Sequence, residues 1–277
     1  MNLASVIERD VNAALSEDVG SGDLTALLTP AEQHAQAHVL CRQKTVICGQ
    51  LWFETCFRRL DPGVAVNWRA AEGATVAAGA VVCTISGAVR ALLTGERAAL
   101  NFLQTLSAVA TVTRRYVEAV AGTRAAIVDT RKTLPGLRIA QKYAVKVGGG
   151  TNHRMGLYDA MLIKENHIAA AGGVRAAYTQ AHRLAPPDVW IQVEVETLDQ
   201  LREALAAGAT KILLDNMELE RMREAVKLVA GRAELEASGS VTLENVRAIA
   251  ETGVDRISIG SLTKDIEAAD FSMRFIE

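Results

Sequence analysis

The stretch VWIQVEVETLDQLREALAAGATKILLDN (189–216) reads as a strand, a helix and a second strand. The flanking runs VWIQVEVE (189–196) and KILLDN (211–216) are short and aliphatic, whereas LDQLREALAAG (198–208) repeats apolar residues at three-to-four spacing and stops at glycine. A helical crossover between two short apolar strands builds a parallel pair. The same unit recurs on both sides. AELEASG (233–239) and RISIGS (256–261) follow, with LENVRAIAETG (243–253) as another helix of the same pattern, and AAIVDT (125–130) and DAMLIKEN (159–166) precede. The last four strands start about 20 residues apart, one strand plus one helix per unit, which with right-handed crossovers winds into a barrel or an open parallel sheet.

The strand ends separate these two architectures. Nearly every run passes directly into polar residues: Asp129-Thr130-Arg131-Lys132, Lys164-Glu165-Asn166-His167, Glu194 and Glu196, Asp215-Asn216, Ser238 and Ser261. A doubly wound sheet places its ligand mainly at one switch point, whereas a barrel builds its active site from all the strand ends on one face. Polar residues at all six ends favour the barrel.

The first part of the chain lacks this rhythm. VLCRQKTVICG (39–49), VAVNW (64–68) and the glycine-punctuated TVAAGAVVCTISG (75–87) read as strands of a small antiparallel or mixed sheet, and segments 3–17 and 50–60 as helices. A helix-length run, 95–120, leads into the barrel. Two domains are expected: residues 1–108, with the tail 266–277 packing back on them, and an α/β barrel domain over 109–265.

Composition narrows the function. The chain has 277 residues, 49% hydrophobic and 22% charged, the balance of a folded soluble protein. Thirty Lys and Arg against 32 Asp and Glu leave a net charge of -2, so no global positive field exists to hold a nucleic acid. The uncharged run Ala98 to Thr113 contains Asn101, Gln104 and three threonines and falls short of a membrane span. Glu8, Arg9 and Asp10 interrupt anything like the apolar core of an export signal, so a cytoplasmic protein without membrane or nucleic-acid partners is expected. Cys41, Cys48, Cys56 and Cys83 form no C-x-x-C pair and have no histidine at metal-ligand spacing, which points to reduced, buried thiols.

Chemistry concentrates in 130–158, where Arg131, Lys132, Arg138, Lys142, Lys146 and Arg154 occur without an Asp or Glu until Asp159. Such a run is often a solvated basic face. Here Arg131 and Lys132 fall at a strand end, Gly148-Gly149-Gly150 allows close backbone approach, and His153-Arg154 follows at once, so a small, multiply anionic ligand is expected. The glycines fit neither a dinucleotide fingerprint nor a P-loop. Glu194 and Asp215, one strand apart at the rim, suit sugar hydroxyls, Mg²⁺ or a cationic carbon, or else pair with barrel lysines; Glu196 points the same way from further out. Ser238-Gly239-Ser240 and Gly260-Ser261 end the last two strands, where barrels often bind phosphate, although serines there also serve as helix caps.

Together, EDVGSGDLT (17–25), GERAALNFLQTLSAVAT (95–111), DTRKTLPGLRIAQKYAVKVGGGTNHR (129–154), DAMLIKENH (159–167), VEVET (193–197), LLDN (213–216), EASGS (236–240) and ISIGSLT (257–263) resemble the quinolinate phosphoribosyltransferases. The order and spacing match from about residue 17 to 265, and Leu134 and Ser107-Ala108-Val109 depart from the pattern without touching a charged position. The resemblance implies an incomplete, open α/β barrel with an N-terminal α/β sandwich. It also implies a homodimer in which Arg97 reaches the barrel of the other subunit. The implied reaction joins quinolinate to 5-phosphoribosyl 1-pyrophosphate with Mg²⁺, giving nicotinate mononucleotide, pyrophosphate and CO₂. On that basis Arg97, Arg131, His153 and Arg154, beside Thr130, are expected to clamp the two carboxylates, and Lys132 and Lys164 to neutralise pyrophosphate and the pyridine carboxylate edge. Glu194 and Asp215 are expected to hold ribose and Mg²⁺, and Ser238, Gly239, Ser240, Gly260 and Ser261 to cradle the 5-phosphate. A paralogue acting on another heterocyclic acid, and an idle ligand-sensing dimer, are the competing readings. The complete charged set argues against both.

Overall fold

The computed structural model describes residues 2–276, which divide into two compact units. The first comprises the chain up to Arg114, Thr133–Gly149 and the chain from Thr263; the second comprises Arg115–Lys132 and Gly150–Leu262.

In the first unit, helix α1 (Leu3–Val19) starts where the Asn2 side chain accepts the Ala4 amide and stops at Gly20. Strands β1 (His34–Cys41), β2 (Thr45–Val46), β3 (Ala65–Trp68), β4 (Thr75–Val76) and β5 (Val81–Ala88) surround helix α2 (Gln50–Leu60) in sequence. Helix α3 (Val89–Ala119) follows. The sheet order β12-β1-β5-β3 is antiparallel throughout and includes the C-terminal strand β12 (Phe271–Phe275), paired with β1 from Ala37–Phe275 to Cys41–Phe271. Alternation along β1 buries Ala37, Val39 and Cys41. The Glu72 carboxylate accepts the Gly49 and Gln50 amides and so caps α2, whose Trp52, Phe53, Cys56 and Phe57 are fully buried. All four cysteines are free and buried.

Helix α4 (Arg138–Val147) also belongs to this unit. The basic run 130–158 is therefore not one cluster: Arg138, Lys142 and Lys146 lie on α4, with Lys142 fully enclosed, while Arg131, Lys132 and Arg154 lie in the second unit. Gly148 ends α4 against α3, where a Cβ would stand 2.6 Å from both the Ala110 carbonyl and Thr113 Cβ. Its bareness serves helix packing rather than the ligand approach expected from the glycine run.

The second unit holds six parallel strands: β6 (Ala126–Val128), β7 (Ala160–Ile163), β8 (Trp190–Val195), β9 (Lys211–Asp215), β10 (Glu234–Ser238) and β11 (Arg256–Ser258). Helices α5 (Glu165–Ala171), α6 (Val174–Leu184), α7 (Leu198–Ala206), α8 (Leu219–Val229), α9 (Val246–Ala250) and α10 (Ser261–Lys264) follow the strands. The order β6-β11-β10-β9-β8-β7 winds in one direction with no switch point, and β6 does not pair with β7, so the barrel is open. Each strand sends aliphatic residues outward: Val193, Val195, Ile212, Leu214, Ala237 and Ile257 are completely buried. The opposite face is mostly polar. A barrel interior is usually packed with branched aliphatics, but here Gln192, Glu194, Glu236, Ser238, Arg256 and Ser258 share the inner alternation. A polar lumen opens at the C-terminal strand ends, where a barrel ordinarily has packed core.

Candidate active site

A cavity of about 290 Å³ sits within the second unit. Thr130, Arg131 and Lys132 after β6, His153 and Arg154 before β7, Lys164 after β7, Glu194 on β8 and Ser238 on β10 all line it, eight of the residues named from the sequence. Glu236, Ser258, Leu162 and Leu213 complete the wall and floor.

Local bonds hold these groups in place. Asp129, fully buried, accepts the His153 amide at 2.8 Å and the Asn152 side-chain amide at 2.6 Å, which ties the His153-Arg154 segment to the end of β6. The Arg154 guanidinium donates to the Ala160 carbonyl at 3.0 Å and is only 8% exposed. Burial and the neighbouring Arg131 charge lower its pKa from the usual arginine value, partly offset by Asp159. Two guanidiniums this close in a partly dry cleft form a field that a dianion relieves.

Lys164 Nζ lies 3.4 Å from Glu194 Oε2. Burial raises the Glu194 pKa above the ordinary carboxylate value; Lys164 pulls it down and Asp215 pushes it up. Thr130 Oγ1 accepts the Lys132 amide at 3.0 Å, and a Cβ on Gly260 would come within 3.0 Å of Lys132 Cδ. Glycine at 260 therefore makes room for the lysine chain, a role distinct from phosphate contact.

The remaining expected residues lie outside the cavity wall. Asp215 ends β9 in register with Ser238 and acts on Glu194 through its charge. Gly239 has φ +104°, and a Cβ there would stand 2.0 Å from Asn216 Oδ1, so this position requires glycine. Ser240 is exposed with φ +49°. The Ser261 hydroxyl is buried without a hydrogen-bond partner among the described residues. Arg97 is exposed on α3 in the first unit, and Glu196 is exposed beyond β8. Sequence reading missed Glu236, Gln192 and Ser258. Their signal was strand alternation, since each falls on the same inward parity as Glu194, Ser238 or the strand-end polar groups.

Residues 109–274 match the family model described as the quinolinate phosphoribosyl transferase C-terminal domain, and residues 23–107 match its N-terminal domain. The chain belongs to the quinolinate phosphoribosyltransferase family. It is 42% identical over 267 residues to a probable nicotinate-nucleotide pyrophosphorylase [carboxylating] of Bacillus subtilis, covering 96% of this chain and 92% of that protein. A mitochondrial quinolinate phosphoribosyltransferase [decarboxylating] of Nicotiana tabacum is 39% identical over 284 residues, covering 94% of this chain and 80% of that one. Among solved structures, the nicotinate-nucleotide pyrophosphorylase of Francisella tularensis superposes with a TM-score of 0.96 at 42% identity, over 100% of this chain and 98% of that one. In this phosphoribosyltransferase the cationic cavity at the strand ends is the candidate catalytic centre. No helix among the described residues is long and apolar enough to cross a membrane.

Proposed function

We propose that this cavity carries out its family's reaction, phosphoribosyl transfer from 5-phosphoribosyl 1-pyrophosphate to quinolinate with loss of CO₂. The observation that supports it is the meeting of Arg131, Lys132, Arg154 and Lys164 with Glu194 in one pocket. Four cations around Glu194, with Glu236 at the floor, suit two polyanionic substrates that form a cationic sugar carbon between them.

Arg131 and Arg154 fork onto the quinolinate carboxylates. Lys132, draped past Gly260, neutralises the leaving pyrophosphate, and Lys164 holds the acid edge while paired to Glu194. The ring nitrogen attacks the anomeric carbon as its bond to pyrophosphate breaks, and Glu194 with Asp215 stabilises the oxocarbenium character between them. Ser238, which lines the cavity, is assigned to the 5-phosphate together with the neighbouring strand-end residues Gly239, Ser240, Gly260 and Ser261. The alkylated nitrogen leaves a pyridinium that accepts the electron pair as the adjacent carboxylate departs as CO₂, and a proton replaces it on the ring. No protein nucleophile is needed, because the residues supply position and charge.

Mg²⁺ is part of this proposal. The carboxylates of Glu194 on β8 and Asp215 at the end of the neighbouring β9 would hold the ion. When bound, it neutralises charge on the leaving group. We further assign the working unit as a homodimer, with exposed Arg97 completing the acid clamp of a second copy, and the compartment as the cytoplasm. Purified chain with both substrates and Mg²⁺ is expected to release CO₂ and nicotinate mononucleotide in equal amounts. Ribosylated product without CO₂, or no product, would contradict the assignment.

A further inference from the structure

A carboxylate at the floor of a pocket for polyanions needs an explanation, and Glu236 is such a group. It is 1% exposed, in register with Arg256 on the neighbouring strand, with its Oε2 3.5 Å from Arg256 Nε. Gln192 Nε2 donates to Glu236 Oε2 at 3.2 Å. Because a carboxylate beside a guanidinium acts as an acceptor, it fixes which end of the Gln192 amide faces it: the nitrogen turns to Glu236 and the oxygen turns away. That oxygen meets His153 Nε2 at 3.0 Å, so Nε2 must carry the proton. The other ring nitrogen agrees, since His153 Nδ1 accepts the Arg154 backbone N–H at 2.8 Å and is therefore bare. Trp190 closes against the ring, edge to face, with centroids 5.1 Å apart.

We propose that Glu236 and Gln192 are positioning residues that hold His153 as its Nε2–H tautomer and, through the Nδ1 contact, fix the backbone from which Arg154 reaches the acid substrate. The proposal rests on the assignment of Arg154 to quinolinate and goes beyond it. It also revises the expected part of His153: both its nitrogens bond within the chain, so it orients the clamp rather than donating to a carboxylate. Glu236 Oε1, 3.6 Å from Nε2, places negative charge where it favours a protonated Nε2.

The test is ¹⁵N-histidine labelling of the whole chain, with ring nitrogens read by long-range ¹H–¹⁵N correlation. Five histidines are present, and His153 is assigned by its loss in His153→Asn. The wild type is expected to show a protonated Nε2 and a bare Nδ1. Glu236→Gln frees the Gln192 amide to turn either way, and Gln192→Leu removes it. In both variants the tautomer preference is expected to weaken and KM for quinolinate to rise roughly tenfold. KM for phosphoribosyl pyrophosphate should stay within about twofold, and the double variant should be no worse than either single. A bare Nε2 in the wild type overturns the proposal. So does an unchanged quinolinate KM in both variants at matched melting temperature, or an equal rise in both KM values. A wild type that turns over no quinolinate would sink the functional assignment instead, while the spectrum still decides the relay.

Discussion

Arg154 is enclosed, bonded to a backbone carbonyl and pressed by a second arginine, an arrangement that is unfavourable until an anion arrives. Truncating it should leave a substrate carboxylate unpaired in a dry site. Arg154→Ala is expected to lower kcat/KM for quinolinate by about 2–5 kcal/mol, and Arg154→Lys to recover only a minor part, since an ammonium cannot reproduce the fork. Near-native kcat/KM in Arg154→Ala would contradict the clamp. Glu194 gives a second test at this scale. Its pKa is raised first by burial, so the folded state holds this proton more tightly than the unfolded chain does. The associated stability is present below the unfolded value and is lost as pH rises through the folded one. A ¹³C titration of the Glu194 carboxyl should place it above 4.5, the ordinary value, with Lys164→Met moving it further up and Asp215→Asn moving it down. Shifts of the opposite sign would show that the Lys164 contact is not formed in solution. The charged residues of this site were legible because a local excess of Arg and Lys at strand ends is visible in one dimension. The Gln192–Glu236 relay was not, because its members come from two strands and their meeting depends on register.

At the level of the elements, the strands divide their residues by parity, aliphatic toward the helices and mostly polar toward the lumen, where Leu162 and Leu213 are the exceptions in the cavity wall. The strands and most helices were legible because short aliphatic runs and three-to-four spacing carry their own period. The basic segment 130–158 was misjudged as a unit because charge density says nothing of where a chain turns, and α4 carries three of its cations into the first unit. Gly148 misled for a related reason: bareness reads the same whether the neighbour is a ligand or a helix. At Gly148 it is α3. Gly148→Ala should force a shift at the Ala110 carbonyl, costing about 1–3 kcal/mol and lowering Tm by roughly 3–10 °C, with kcat/KM of the remaining folded protein near native. An unchanged Tm would mean that the helices separate at little cost.

For the whole molecule, the open barrel supplies a polar lumen and the strand-end residues supply charge, yet Arg97 belongs to the other unit. Its proposed service to a second copy is a property of the assembly, which neither periodicity nor spacing within one chain encodes. Mixed dimers of Arg97→Ala and Lys132→Ala subunits should regain activity up to about a quarter of wild type when association is random, because only one of two sites in each mixed dimer is intact. No recovery in verified mixed dimers would contradict the action of Arg97 in trans. The most direct measurement is the ratio of kcat/KM for quinolinate to that for nicotinate, which lacks the departing carboxylate. A clamp built for two carboxylates predicts a preference of at least about a hundredfold for quinolinate, reduced to near tenfold or less in Arg154→Ala. Comparable turnover of the two acids by the wild type would contradict it.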